Sequence, residues 1–537
     1  MYQAVSETEP MLADARSPAG GKGVDAVGTG SVRSMRLEAP SPRCNDWIFA
    51  ALFIVNVAVI GVFAFAKGLP VLKDNLKKNT STTVNNEPQD LTHVFILSVG
   101  LVGGAVVLSL LWMKFLMAYA ESMIRIALWF NVGLTVVFAL TTFAVSPIMA
   151  CLLLLMAGLN VWYIYAVQDR IGFASANLKT ACAAVSQHSV IFLVALLLLI
   201  KQTIWMVLWS LSAIGIYQMV KDSDPGCDEV DANGRPQRMC GGVGGGFTLF
   251  FMLISVYWGQ QVLQNILTCT TAGVVASWWY QPNSKKVTAG ALYRSLTSSF
   301  GSICFGSLIV AVLQALRTMA SILKEKARED DNGALACVAC LAECILNCLE
   351  GIMEYINQWA YVYVGIYGYD FKTSGKAVMD LFTNRGWTAV INDDLTSSAL
   401  TFGALGVGVV TCVAGLLVAK FCPDKWFEAL GSANTAYGVL GTIGFIAGMS
   451  MAMILANVVI TALHTVFVCF AEVRSRLSFM ISLSSTPQNA HGSLSVLYVL
   501  QDPIAFSRNH PREYEDLVSG WRKFHGDALV SAYGGAV

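Results

Sequence analysis

Ten stretches of mostly apolar residues recur along this chain, and nearly all are long enough to cross a hydrocarbon layer, which takes roughly 20 residues of helix. They fall near 47–66, 92–113, 124–145, 147–167, 188–218, 245–278, 299–320, 355–378, 398–420 and 437–467. Inside a bilayer every backbone N–H and C=O must find a partner within the protein, which leaves helices and closed barrels. No stretch alternates polar and apolar residues with the period of a barrel strand. The expected fold is therefore all-α: a polytopic membrane helix bundle of about ten transmembrane helices, occupying residues 44–480. The segment 355–378 is the least regular. It is rich in aromatic residues and ends in YDFKTSGK, so a spanning and a re-entrant course both stay open.

Composition agrees. The chain is 55% hydrophobic and 13% charged, against about 25% charged in soluble domains. Its formal net charge is zero, so no basic surface points to nucleic acid. Residues 1–43 hold Ser, Gly, Pro and mixed charges with little to bury, which predicts a disordered tail. Residues 481–537 form a second tail with Arg508, Arg512, Arg522 and Lys523.

Loop chemistry sets the expected orientation. Around the first span the basic residues balance, with Arg33, Arg36 and Arg43 before it and Lys67, Lys73, Lys77 and Lys78 after it. The sequon Asn79–Ser81 lies in the loop that follows, and marks Asn79 as a glycosylation candidate. The loop 220–244 is acidic and holds Cys227 and Cys240, which would pair as a disulfide on an oxidising side. Ten spans place these two loops on one side. They place Lys285, Lys286, Arg294 and both tails on the other. Both termini are thus expected in the cytoplasm and the chain in the plasma membrane, with an organelle membrane as the alternative.

One span carries an unusual load: YWGQQVLQNILTCTTAGVVASWWY, Tyr257 to Tyr280, has Gln260, Gln261, Gln264 and Asn265 at its centre. At 100° per residue Trp258, Gln261, Asn265, Thr268 and Ala272 fall within about 80° of one another. Polar side chains in hydrocarbon must face protein or a watery cavity. Two readings compete: amides bonding across helices as glue, and amides lining a path. The stripe as a whole, with Tyr257 and Trp258 beside it, favours a path. A second segment, MEYINQWAYVYVGIYGYDF, advances Tyr355, Trp359, Tyr363 and Tyr367 in steps of four, bracketed by Glu354 and Asp370. An interfacial aromatic belt is the plain reading. A wall of π-faces for an organic cation is the functional one.

Other features stay open or exclude a class. Cys337, Cys340, Cys344 and Cys348 share one helix face, consistent with packing, acylation or disulfides. A single straight helix does not wrap a metal tetrahedrally, so no metal is expected. Lys201, inside the fifth span, would face a cavity or an acid partner, or else snorkel to the interface. Gly403, Gly406 and Gly408, with Gly441, Gly444 and Gly448, are placed for close helix approach. No phosphate-binding G-x-x-x-x-G-K-[ST] occurs, and no H-E-x-x-H or G-x-S-x-G. His464 has no matching acid cluster beside it in the sequence. No catalytic set and no cofactor are expected.

Four stretches together resemble the choline transporter-like proteins, including the fungal branch named PNS. They are DRIGFASANLK (Asp169–Lys179), the amide-bearing span itself, GSICFGSLIVAVLQALR (Gly301–Arg317) and MEYINQWAYVYVGIYGYDFKTSGKA with the cysteine run before it. Order and spacing hold from about residue 47 to 480. Gly172 stands where the family usually has Pro, and Lys372 where it often has Cys. The resemblance implies a solute carrier of about ten helices with both ends cytoplasmic, moving choline or a related amine. Tyr257, Trp258, Gln261, Asn265, Tyr355, Trp359 and Tyr363 are the expected substrate contacts, with rings for the ammonium and amides for the hydroxyl. The alternative is a channel, lipid-handling or scaffolding membrane protein on the same frame.

Overall fold

The computed structural model describes residues 44–74, 92–223, 242–280, 286–329, 332–423, 426–427, 433–484 and 505–525. Asn79, Cys227, Cys240 and the 1–43 tail lie outside the described residues.

The described residues form helices and no strand. The main ones are α1 (Trp47–Phe63), α2 (Thr92–Phe143), α3 (Pro147–Val167), α4 (Ile171–Gln187), α5 (Val190–Ser223), α6 (Gly242–Tyr280), α7 (Val287–Leu296), α8 (Phe300–Glu329), α9 (Gly333–Tyr367), α10 (Phe371–Phe421), α11 (Ala433–Ser484), α12 (Ala505–Asn509) and α13 (Pro511–His525). Among the described residues, nine helices are long and apolar enough to cross a membrane. Their outer faces carry Trp47, Ile54, Phe95, Phe138, Leu155, Val207 and many other exposed large apolar side chains. Such a surface is a liability in water and the natural one in lipid.

Two expected spans, 92–113 and 124–145, lie within the single helix α2, whose backbone leaves helical values only at Tyr119 (φ −124°, ψ 30°). Trp112 and Phe130 would stand about 27 Å apart on a straight helix. Instead the Trp112 ring sits against Gly403, while the Phe130 ring packs on Phe402 with centroids 4.9 Å apart. The helix therefore bends at Tyr119 into two arms that converge on one short stretch of α10. Counting the arms separately gives ten apolar helical segments among the described residues. The first and last described helices meet the bundle at one end. The Asn45 backbone N–H donates to Ser298 O, and Asn45 Nδ2 donates to Gly368 O. Near the other terminus, His510 Nε2 bonds Trp278 O at 3.1 Å. Gly273, Arg294 and Gly365 meet one another at this same end.

The segment expected at 355–378 is not one span. Helix α9 begins far earlier, at Gly333, capped by the Asn332 side chain accepting from Leu335 N. It stops at Gly368, whose φ of 67° is a left-handed conformation that a side chain resists. Helix α10 then starts with Asp370 accepting from Thr373 N. Asp46 ties three elements at this junction, accepting from Ser302 Oγ at 2.8 Å and from Phe371 N at 3.1 Å.

Close backbone approach holds the last pair of spans. A Cβ on Gly415 would fall 2.3 Å from Leu440 O, and one on Gly444 would fall 2.4 Å from Thr411 O. Gly403, Gly408, Gly441 and Gly448 also meet neighbours, whereas Gly406 has none within 4 Å. Lys201 points outward from α5, between the exposed side chains of Leu197, Ile200 and Ile204.

Residues 505–525, within the expected C-terminal tail, form two helices. Helices α12 and α13 pack onto α6 and α4. Phe506 stacks on Trp279 with centroids 3.8 Å apart, His510 lies 4.0 Å from Trp278, and Leu517 is fully buried. Trp278 Nε1 donates to Gln187 Oε1 at 2.7 Å, which closes the seam with α4. Burial, and then the charge of His510, holds the pKa of neighbouring His188 below the ordinary histidine value. A lowered folded-state pKa means that the unfolded chain binds the extra proton. The stability that depends on a neutral His188 is fully present above about pH 6.5 and is lost as the pH falls further. The expected result is a lower melting temperature near pH 5 than near pH 7.5, with the difference reduced in His188→Gln, as read by fluorescence melting.

Candidate functional site

The polar stripe of α6 faces inward. Gln261, Gln264, Asn265 and Thr268 line a narrow cavity of about 90 Å³ that Glu354, Asn357, Gln358 and Tyr361 of α9 close on a second side. Asn457, Thr461 and His464 of α11 supply the third wall, and Val310 of α8 adds an apolar contact. The three helices reach one point because small residues let them. A Cβ on Gly365 would meet Cys269 O at 2.6 Å, so α9 lies directly on α6.

The amides divide between the two roles weighed for them. Gln260 bonds Gln202 of α5 and serves as glue. Asn265 does both: it lines the cavity, and its Nδ2 donates to Ser307 Oγ of α8 at 3.0 Å. Gln261 lines the cavity and points its Nε2 at Glu354 Oε1, 3.4 Å away. Asn357 Nδ2 donates to Gly306 O at 3.1 Å, anchoring α9 to α8. Ser307 Oγ in turn meets Tyr361 OH at 3.2 Å. Asn265→Ala would take one of two partners from Ser307 Oγ, which keeps Tyr361 OH. The expected result is a small drop in melting temperature, from about 0.5–1.5 kcal/mol for one lost hydrogen bond, read by fluorescence melting.

Glu354 is the charge of this cavity. Its Oε1 accepts from Gln314 Nε2 at 2.9 Å and from Gln261, and no cation pairs with it among the described residues. Arg317, which would be the natural candidate, is taken by Glu350 at 2.7 Å. A carboxylate in a protein interior is costly unless something compensates it. Glu354 is partly buried; the amides of Gln314 and Gln261 compensate it at contact distance, and Arg317 acts on it from further off.

The rings expected at the site are placed otherwise. Trp258 is buried against α8, its Nε1 donating to Cys304 O at 2.9 Å and its edge on Phe53. Tyr257 OH meets Thr318 Oγ1 at 2.9 Å. Tyr355 stacks on Phe382, Tyr363 packs beside Tyr367, and none of these four lines the cavity. Trp359 is fully buried and stacks on His464 with centroids 4.2 Å apart, so it backs the cavity wall without forming it. Of the seven residues singled out in the sequence, Gln261 and Asn265 come together here.

His464 corrects the reading that it lacks an acid. Its Nε2 bonds Asp393 Oδ1 at 2.8 Å, across 71 positions of sequence. The stripe Asn457, Thr461, His464, spaced by four and three, was the sequence signal for this wall. The four clustered cysteines sit on the outer face of α9 and are exposed, so they do not pack into this chain's own core. Among the described residues no group of three or more His, Cys, Asp or Glu could hold a metal.

A bundle of apolar helices of this length with an apolar outer surface defines a multi-pass membrane protein. A family model described as plasma-membrane choline transporter matches residues 151–475, and the chain belongs to that family. Among its relatives, Protein PNS1 of Debaryomyces hansenii is 27% identical over 447 residues, covering 80% of this chain and 83% of the relative. Protein PNS1 of Mycosarcoma maydis is 27% identical over 444 residues, covering 81% and 80%. Protein PNS1 of Cryptococcus neoformans var. neoformans is 26% identical over 454 residues, covering 81% and 79%.

Proposed function

We propose that this protein is a carrier that moves choline, or a related aminoalcohol cation, across its membrane through the cavity between α6, α9 and α11. The observation that carries the reading is Glu354, a carboxylate without a cationic partner among the described residues, set in a cavity walled by amides. A quaternary ammonium donates no hydrogen bond, so charge and π-faces must hold it. Glu354 supplies the charge, and Tyr361 and His464 supply ring surfaces. Gln261, Gln264, Asn357 and Asn457 offer donors and acceptors to the hydroxyl end. Family membership supports the substrate class. Both termini face the cytoplasm in this reading, and the membrane is the plasma membrane.

Movement follows the alternating-access scheme, in which helices rock about a fixed site near mid-membrane. The seam of α9 on α6 at Gly365 and the break at Gly368 are the natural places for that rocking. The test is uptake of labelled choline into proteoliposomes holding the purified protein, beside empty vesicles. Saturable uptake is expected. Uptake no greater than in empty vesicles, with the protein folded, would overturn choline as substrate.

A further inference from the structure

A second cavity lies at the opposite end of α6 from its glycine-rich start, where both described chain ends meet the bundle. It has a volume of about 360 Å³, larger than the transport cavity, and lies between α7, the start of α8 and the end of α9. Among the described residues Arg294 is the sole charged one on its wall, beside the hydroxyl-bearing Ser295, Thr297, Ser298 and Ser299. The guanidinium lies over Gly273, where a built Cβ would come within 3.1 Å of Nη2, so glycine there keeps its seat open. No carboxylate pairs with Arg294 among the described residues. The two acids of this junction are engaged elsewhere, Asp46 by Ser302 and the Phe371 backbone, and Asp370 by Thr373 N. Its side chain stays accessible to solvent, and the burial of part of it lowers its pKa from the ordinary arginine value.

The depth of the cavity identifies what kind of anion reaches it. Trp47, the first residue of the first span, is 65% exposed, and Tyr293 on the cavity rim is 69% exposed. Exposed Trp and Tyr mark the headgroup level of a bilayer. The neighbouring Asn45 N–H bonds Ser298 on the same wall. The anion most abundant at that level is phosphate, and guanidinium is the side chain that grips phosphate through two parallel N–H bonds. The serine and threonine hydroxyls now point at helix carbonyls, as in Thr297 Oγ1 to Tyr293 O and Ser298 Oγ to Arg294 O. Those hydroxyls rotate freely, so they can turn to donate to a bound oxyanion.

We propose that the Arg294 cavity is a phosphate-group site at headgroup depth, filled by the headgroup of an anionic lipid or by free phosphate. It is independent of the transport cavity and of the substrate assigned to it. The test compares wild type, Arg294→Gln and Arg294→Lys as full-length protein in detergent, titrated with dioctanoyl phosphatidic acid, dioctanoyl phosphatidylcholine or inorganic phosphate. The readouts are the rise in melting temperature and the bound adducts seen by native mass spectrometry. The expected result is saturable binding of phosphatidic acid that weakens at least tenfold in Arg294→Gln and less in Arg294→Lys, which keeps charge but loses the fork. Equal binding of inorganic phosphate with the same Arg294 dependence would support the site and name the free anion as its ligand. Binding unchanged in Arg294→Gln would overturn the proposal, as would no response to either anion. Arg294→Gln melting as wild type without ligand shows that loss of binding is not loss of fold.

Discussion

Glu354→Gln is expected to abolish saturable choline uptake, lowering kcat/KM at least 100-fold, while the protein still melts within a few degrees of wild type. The substitution keeps the shape of the side chain, and its carbonyl still accepts from Gln314 Nε2. Only the charge is lost. Removing one partner of a desolvated charge pair costs about 2–5 kcal/mol, and a factor of 100 corresponds to about 2.7 kcal/mol. Glu354→Asp keeps the charge but withdraws it by one methylene, so an intermediate rate is expected. Initial uptake rates over a range of choline concentrations, paired with melting curves, separate the two. Wild-type uptake in Glu354→Gln would mean that the cation is held elsewhere.

The largest effect on folding is expected from Gly444→Leu. Backbone lies against backbone here, with Thr411 O placed 2.4 Å from any Cβ at position 444, and neither helix has a flexible side chain to yield. Overpacking typically costs about 1–3 kcal/mol, and a contact with backbone sits at the upper end of that range. Helices α10 and α11 would have to separate. Asp393 would then part from His464, and the third wall of the transport cavity would move. Most of the protein should be lost as aggregate in size-exclusion chromatography. Gly406→Leu is the matched control, because Gly406 has no neighbour within 4 Å, and its elution profile should match wild type. Equal behaviour of the two variants would show that close approach at Gly444 does not hold the pair together.

The helical membrane fold was legible because hydrocarbon imposes a crude rule, a long apolar run, that survives without knowledge of packing. Where a boundary depends on one backbone angle, the rule fails. Tyr119 bends α2 without any Pro or Gly at the turn, so the sequence carries no mark of it. Gly368 does carry a mark, yet it lies among aromatic residues that read as a continuing span. The inward stripe of α6 was legible for the same crude reason, since amides in lipid must face protein. The partition of that stripe was not. Gln260 and Gln261 are neighbours, but one meets Gln202 and the other Glu354, and only the arrangement of α5 and α9 decides which. Trp258 and Trp359 looked like cation walls because large rings are useful in both roles; packing claimed them first. The His464–Asp393 pair bridges 71 residues, beyond any local pattern.

The central claim is that a cation sits against Glu354, and equilibrium binding tests it without the complications of flux. Purified wild type and Glu354→Gln would each be titrated with labelled choline in a scintillation proximity assay. One saturable site in wild type, absent from Glu354→Gln and competed by unlabelled choline, is the predicted result. Equal saturable binding by both proteins would contradict the account and move the cation site out of this cavity.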